Sequence, residues 1–194
     1  MRTHKTLADR GVRVLAGAVA ALAALASFAT ITASAQAVHP SFGRAATASE
    51  VAAVNIDVMP NGAGLPAGSG TVKSGQAIYE SKCAACHGAT GVEGPRDRLV
   101  GGQGSLATVK PIKTIGSYWQ YAPTIYDYIG RAMPFTAPGT LTPDEVYGVV
   151  AYLLNRNGVI AADQVIDANT LPLVKMPNRD GFVVEPAFRN VKRK

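Results

Sequence analysis

The chain has 194 residues, 19 of them basic and 13 acidic, for a formal net charge of +6. Its two cysteines exclude a disulfide-stapled scaffold, and its length suits one modest domain with extensions. The first 35 residues hold four of the basic residues and one of the acidic, which leaves 15 against 12, or +3, supplied by Lys192, Arg193 and Lys194, so the body lacks the basic footprint of a nucleic-acid binder.

The chain opens as a three-part export signal. Arg2, Lys5, Arg10 and Arg13 precede the apolar run "VLAGAVAALAALASFATI", and Ala33 and Ala35 then supply the small-residue cleavage spacing. Cleavage is expected after Ala35 or Ala37, delivering the protein to the periplasm. An uncleaved membrane anchor is the alternative, because the run approaches bilayer-spanning length. No other stretch has that length and character. Residues 36–68 are rich in Gly, Pro, Ala and Ser and read as an extended arm, with a short strand expected at "VNIDV".

The first helix is predicted over Val72 to Cys83, capped by Thr71 or Ser74, with Gly75, Ile78, Tyr79 and Lys82 along one face. The stretch "HGATGVEGPRDRLVGGQGS" is too glycine-rich for helix or sheet and reads as a loop. A middle helix is predicted from Ala122 to Ala132, with Pro123 in its first turn and Ile125, Tyr128 and Ile129 as its apolar stripe. The last helix carries a capping box of Thr142 and Glu145, with Pro143 at its first position and a staple of Leu141 on Val146. Val146, Val149, Val150, Leu153 and Leu154 keep the helical period, and Asn157-Gly158 ends it. Residues 161–194 hold three prolines and short apolar runs. They are expected to form a tail over the domain surface, dispensable to the site itself.

Between the first helix and the loop lies "CAACHG", which contains both cysteines and is closed by His87. Four chemistries compete for it. A disulfide of this spacing closes a very short loop, stabilises little, and leaves His87 without a role. Structural zinc wants four nitrogen or sulfur ligands, and the cluster offers three. A redox dithiol belongs at the start of a helix in a βαβ setting, whereas this motif follows a helix. Covalent haem attachment uses every residue. Cys83 and Cys86 suit the two vinyl groups of one porphyrin, and His87 falls in place as the proximal iron ligand. A second axial ligand must come from the opposite side. Met133, in "RAMPF" after the middle helix, is the leading candidate; Met176, in "KMPNRD", is its rival, with Met59 and His39 further behind. A packing role for Met133 leaves the iron five-coordinate.

From about Ser69 to Ile160 these features together resemble class I cytochrome c: Gly75 and Tyr79, the C-A-A-C-H motif, Gly94-Pro95, Met133, and Tyr152-Leu153. The resemblance implies an all-α fold of three main helices around one haem c held by two thioethers. It also implies that Gly75 and Tyr79 pack across the last helix, and that the Pro95 carbonyl orients His87. Trp119 and Tyr118 are candidates for bonds to the haem propionates, with ordinary core packing as the alternative. Lys113, Arg96, Arg98 and Arg131 are candidates to neutralise those propionates. The stretches "VGGQGSL", "KTIGSYW" and "KMPNRDGF" resemble cytochrome subunits of bacterial periplasmic molybdenum-dependent sulfite or sulfane-sulfur dehydrogenases. That implies a one-electron acceptor partnered by a molybdenum subunit upstream and a cytochrome or oxidase downstream, with no catalytic residues of its own. A free shuttle to a terminal oxidase is the first alternative, and a haem peroxidase or ligand sensor the second.

Overall fold

The computed structural model describes residues 43–183 and 185. The signal segment, His39 and the terminal basic residues lie outside the described residues. The chain divides into two compact units, Met1–Ala48 and Ser49–Lys194. Only residues 43–48 of the first are described; the elements below belong to the second, apart from the opening residue of its first helix.

Helix α1 spans Ala48–Val54 and is exposed along its length. The strand expected at "VNIDV" is absent: Val54 ends α1, and the next residues dock by side chain and amide instead. The Val58 amide donates to Asp127 Oδ1 at 2.9 Å and its side chain is buried, while Asp57 pairs with Arg131. The described strands are β1, Ser69–Thr71, and β2, Val165–Asp167, which pair with each other. That ladder is antiparallel, with Gly70 opposite Ile166.

Three helices carry the domain. Helix α2 runs Val72–Lys82 and starts in a reciprocal capping box, in which Thr71 Oγ1 accepts the Ser74 amide at 3.1 Å and Ser74 Oγ accepts the Thr71 amide at 3.0 Å. A four-residue turn, α3, follows at Ala84–His87. Helix α4 spans Ala122–Ala132 with Pro123 in its first turn, as predicted. Helix α5, Pro143–Arg156, opens with the predicted Thr142/Glu145 box. Glu145 Oε2 accepts the Thr142 amide at 2.8 Å, and its Oε1 accepts Lys82 Nζ at 2.7 Å, tying the end of α2 to the start of α5.

Helix α5 is buried on every side from Val146 to Leu154, not along one stripe. A helix apolar all round belongs at the centre of a domain, and α2, α4 and both strands surround this one. The crossing with α2 is backbone on backbone: a Cβ on Gly75 would overlap the Gly148 carbonyl. Beside it, the fully buried Tyr79 ring lies 5.1 Å from Tyr152. The expected packing of Gly75 and Tyr79 across the last helix is thus present.

The segment after α5 departs from the expected surface tail. Ile166, Leu171, Val174 and Met176 are buried in the common core, and β2 closes the sheet. The turn after β2 is set by Asp167, whose Oδ1 accepts the Asn169 and Thr170 amides, both at 2.8 Å. Short apolar runs among prolines read as surface when the pairing partner, β1, lies about a hundred residues upstream. No helix among the described residues is long and apolar enough to cross a membrane.

Candidate haem site

Cys83 caps α2, donating its amide to the Tyr79 carbonyl at 2.9 Å. The chain then tightens into α3. The Cys86 and His87 amides both point at the Cys83 carbonyl, at 3.1 and 3.0 Å, and the Gly88 amide meets the Ala84 carbonyl at 2.8 Å. Gly88 leaves this turn at φ 83°, in the left-handed region that glycine favours. One turn therefore presents both thiols and the imidazole.

Both thiols are free; Cys83 is half-buried and Cys86 exposed. Burial pushes the Cys83 thiol up to about 11, with Lys82 pulling weakly the other way. A redox dithiol needs a depressed thiol at its helix start, so this environment opposes that reading. Among the described residues, no group of three or more His, Cys, Asp or Glu side chains is placed to hold a metal ion, so the cluster lacks the convergence zinc needs.

His87 Nδ1 lies 2.7 Å from the Asp97 carbonyl. A carbonyl only accepts, so Nδ1 carries the proton and Nε2 keeps its lone pair free for iron. The orienting carbonyl is therefore that of Asp97, not Pro95. The cause is the path of the loop. Gly94 passes so close under the attachment turn that a Cβ there would overlap the Cys86 carbonyl. The Arg96 amide is then fixed on that same carbonyl at 2.9 Å, and the chain reaches the ring only at the next residue. Pro95 shapes the approach and stays exposed.

Tyr79 steadies this turn, and Glu93 the loop that follows it. The Tyr79 hydroxyl donates to the Gly88 carbonyl at 2.8 Å, and burial pushes its pKa up to about 12, so it remains a donor. Glu93 folds back to accept the Thr90 amide at 3.0 Å, the Val92 amide at 3.2 Å and the Thr90 hydroxyl. These bonds hold its carboxyl below the usual range.

Met133 ends α4, its amide on the Ile129 carbonyl at 3.0 Å, and its side chain is half-buried against the core. Its rival Met176 is only 3% exposed and packs within the core, while Met59 is exposed. Trp119 is half-buried and meets Tyr128 edge-on at 5.8 Å. Tyr128, expected on the buried stripe, is about half exposed, and Tyr126 takes the core position instead. Tyr118 lies under Lys113, edge-on to Phe182, with its carbonyl accepting Asn178 Nδ2 at 2.8 Å. Arg131 is committed to Asp57 and Asp127, and Arg98 to the Val100 carbonyl.

The donor set fits a covalent haem: two unpaired thiols and a correctly protonated imidazole on one turn, with half-buried Leu99, Trp119 and Met133 packed at the edge of the core. Residues missed in the sequence are Asp97, Glu93 and Asn157, the last read only as a helix stop.

Residues 70–153 match the family described as cytochrome c oxidase, cbb3-type, subunit III. The chain is also similar to a chain in the crystal structure of the sulfane dehydrogenase SoxCD from Paracoccus pantotrophus. The identity is 40%, the match covers 77% of this chain and 74% of that one, and the TM-score is 0.71. None of the curated proteins matches it.

Proposed function

The chain belongs to the c-type cytochromes, and on that premise we propose that it is a periplasmic single-haem electron carrier serving a molybdenum-dependent sulfur dehydrogenase. The carrying observation is the turn Cys83–His87, with two free thiols and a ring whose Nδ1–H is already bonded. Haem c supplies a one-electron iron couple when attached. Cys83 and Cys86 would hold it by thioethers, His87 through Nε2, and Met133 through its thioether sulfur. The Asp97 carbonyl fixes the His87 ring and raises its basicity. Sulfur ligation from Met133 would favour the reduced iron and raise the potential. With His87 and Met133 both given to the iron, the protein would carry electrons and leave bond chemistry to its partner. The molybdenum partner rests on the likeness to a chain of a sulfane dehydrogenase.

A second reading has its own support. The family match is to a description of an oxidase subunit, which favours a shuttle that delivers electrons to a terminal oxidase. One experiment separates the two. The exported protein is purified and tested for a copurifying molybdenum subunit and for haem reduction by sulfite or a sulfane-sulfur compound. Copurification with substrate-dependent reduction supports the dehydrogenase role. A protein that stays alone, ignores these substrates and reduces an oxidase rapidly overturns it. Acid-acetone extraction checks attachment: haem must remain with the polypeptide.

A further inference from the structure

Asn157 stands at the end of α5, only 8% exposed, with its side chain fully engaged. Oδ1 accepts the Gly101 amide at 3.0 Å. Nδ2 donates to the Leu99 carbonyl at 3.2 Å and to the Leu153 carbonyl at 2.8 Å. Its own carbonyl accepts Gln103 Nε2 at 3.0 Å. Ending a helix needs none of the bonds to residues 99–103, which lie more than fifty positions upstream.

Those residues continue the loop that orients His87. Asp97 sits between two anchors. Upstream, the Arg96 amide is bonded to the Cys86 carbonyl, on the attachment turn itself. Downstream, Leu99 is held by its amide on the Gly91 carbonyl at 2.8 Å and by its carbonyl on Asn157. The first anchor moves with the turn. Of the second pair, only the Asn157 bond ties the loop to the central helix by a side chain; the Ile115 amide adds a longer contact at 3.3 Å.

We propose that Asn157 is a positioning residue for the proximal histidine: by pinning Leu99 and Gly101 to the end of α5 it holds the Asp97 carbonyl on the Nδ1–H of His87. The inference rests on the reading of His87 as an iron ligand. A donated Nδ1–H makes the imidazole a stronger electron donor, which stabilises the ferric state. Loosening the loop weakens that bond, so the reduction potential rises and the ring proton exchanges faster with solvent.

The test uses the holoprotein with Asn157→Leu, which is uncharged and similar in size, beside Leu171→Ala, a destabilised control whose buried side chain makes no hydrogen bond to the loop. Midpoint potential, exchange of the His87 Nδ1 proton by NMR, and thermal stability are read on each. Loss of one bond corresponds to about two- to twelvefold faster exchange, with a higher potential and an unchanged His/Met spectrum. The control, matched for lost stability, should show neither. If Asn157→Leu loses stability while exchange and potential stay at wild-type values, Asn157 merely caps the helix and the inference is overturned. If that variant gives no holoprotein, Asn157→Ser is read by the same three measurements, and wild-type exchange and potential in it overturn the inference equally. Absence of iron-shifted His87 ring resonances in the wild type overturns the ligand reading itself, and the inference falls with it.

Discussion

Ending the chain at Ala161 should abolish folding, although that cut removes no candidate haem ligand except the rival Met176. The segment beyond it supplies Ile166 and Leu171, both 0% exposed, Val174 and Met176. Full burial of such side chains stabilises by roughly 1.5–3 kcal/mol each, so their joint loss is about 6–12 kcal/mol. A domain of this kind has about 5–15 kcal/mol in all. The cut also strips β2 from β1 and uncovers the side of α5 that the strands pack against. The graded version is Leu171→Ala, expected to cost about 2–5 kcal/mol and to lower Tm by roughly 5–15 °C. Circular dichroism melts and haem content per polypeptide check both, with a chain ending at Glu185 as control. A chain ending at Ala161 that melts like the full protein would falsify this account of the core.

Met133→Ala should remove the weak far-red sulfur-to-iron band of the oxidised protein, lower the potential and admit carbon monoxide, while Met176→Ala lowers Tm by a core-cavity amount and leaves the band alone; the reverse pattern reassigns the ligand. Gly94→Ala should cut holoprotein yield sharply, because its Cβ would overlap the Cys86 carbonyl, whereas Asp97→Asn should leave the potential near wild type, since the bond to His87 uses the backbone; a large shift in Asp97→Asn would place the side chain in the site. Glu145, lowered from 4.5 first by Lys82 and then by the Thr142 amide, adds stability that is present above about pH 4.5 and lost as pH falls through its folded value; Glu145→Gln should therefore cost about 0.5–1 kcal/mol at pH 7 and less at pH 3, as urea melts at the two pH values would show.

The parts legible in the sequence are those whose physics is local. Thr142, Pro143 and Glu145 write the start of α5 within four residues, and the structure starts it there. Cys83, Cys86 and His87 fall on one turn, so side-chain type and spacing alone pointed to covalent haem. Gly75 and Tyr79 were legible through resemblance, and their physical reason, a backbone crossing at Gly148, appears only when α2 and α5 are seen together. Residues 161–183 were misread because a three-residue strand has no period to detect and its partner is distant in sequence. Tyr128 was misplaced for a related reason: Tyr126 and Tyr128 are both plausible on an apolar face, and only the neighbours of α4 choose between them.

The orienter of His87 escaped for a deeper reason. Its acceptor is a main-chain carbonyl, a group that every residue type presents, so no residue identity could announce it. A proline in the loop signals a turn but not which carbonyl the turn delivers. What selects Asp97 is the close pass of Gly94, the Arg96 amide on Cys86, and the grip of Asn157 on Leu99. Two of those are glycine and backbone effects, and the third spans 58 residues. The proposed iron donors are therefore written in side chains, while the orientation of the histidine is written in the path of the loop. Substitutions that alter the path should move the potential even where they touch no ligand, and substitutions of an exposed loop side chain that keep the path should not.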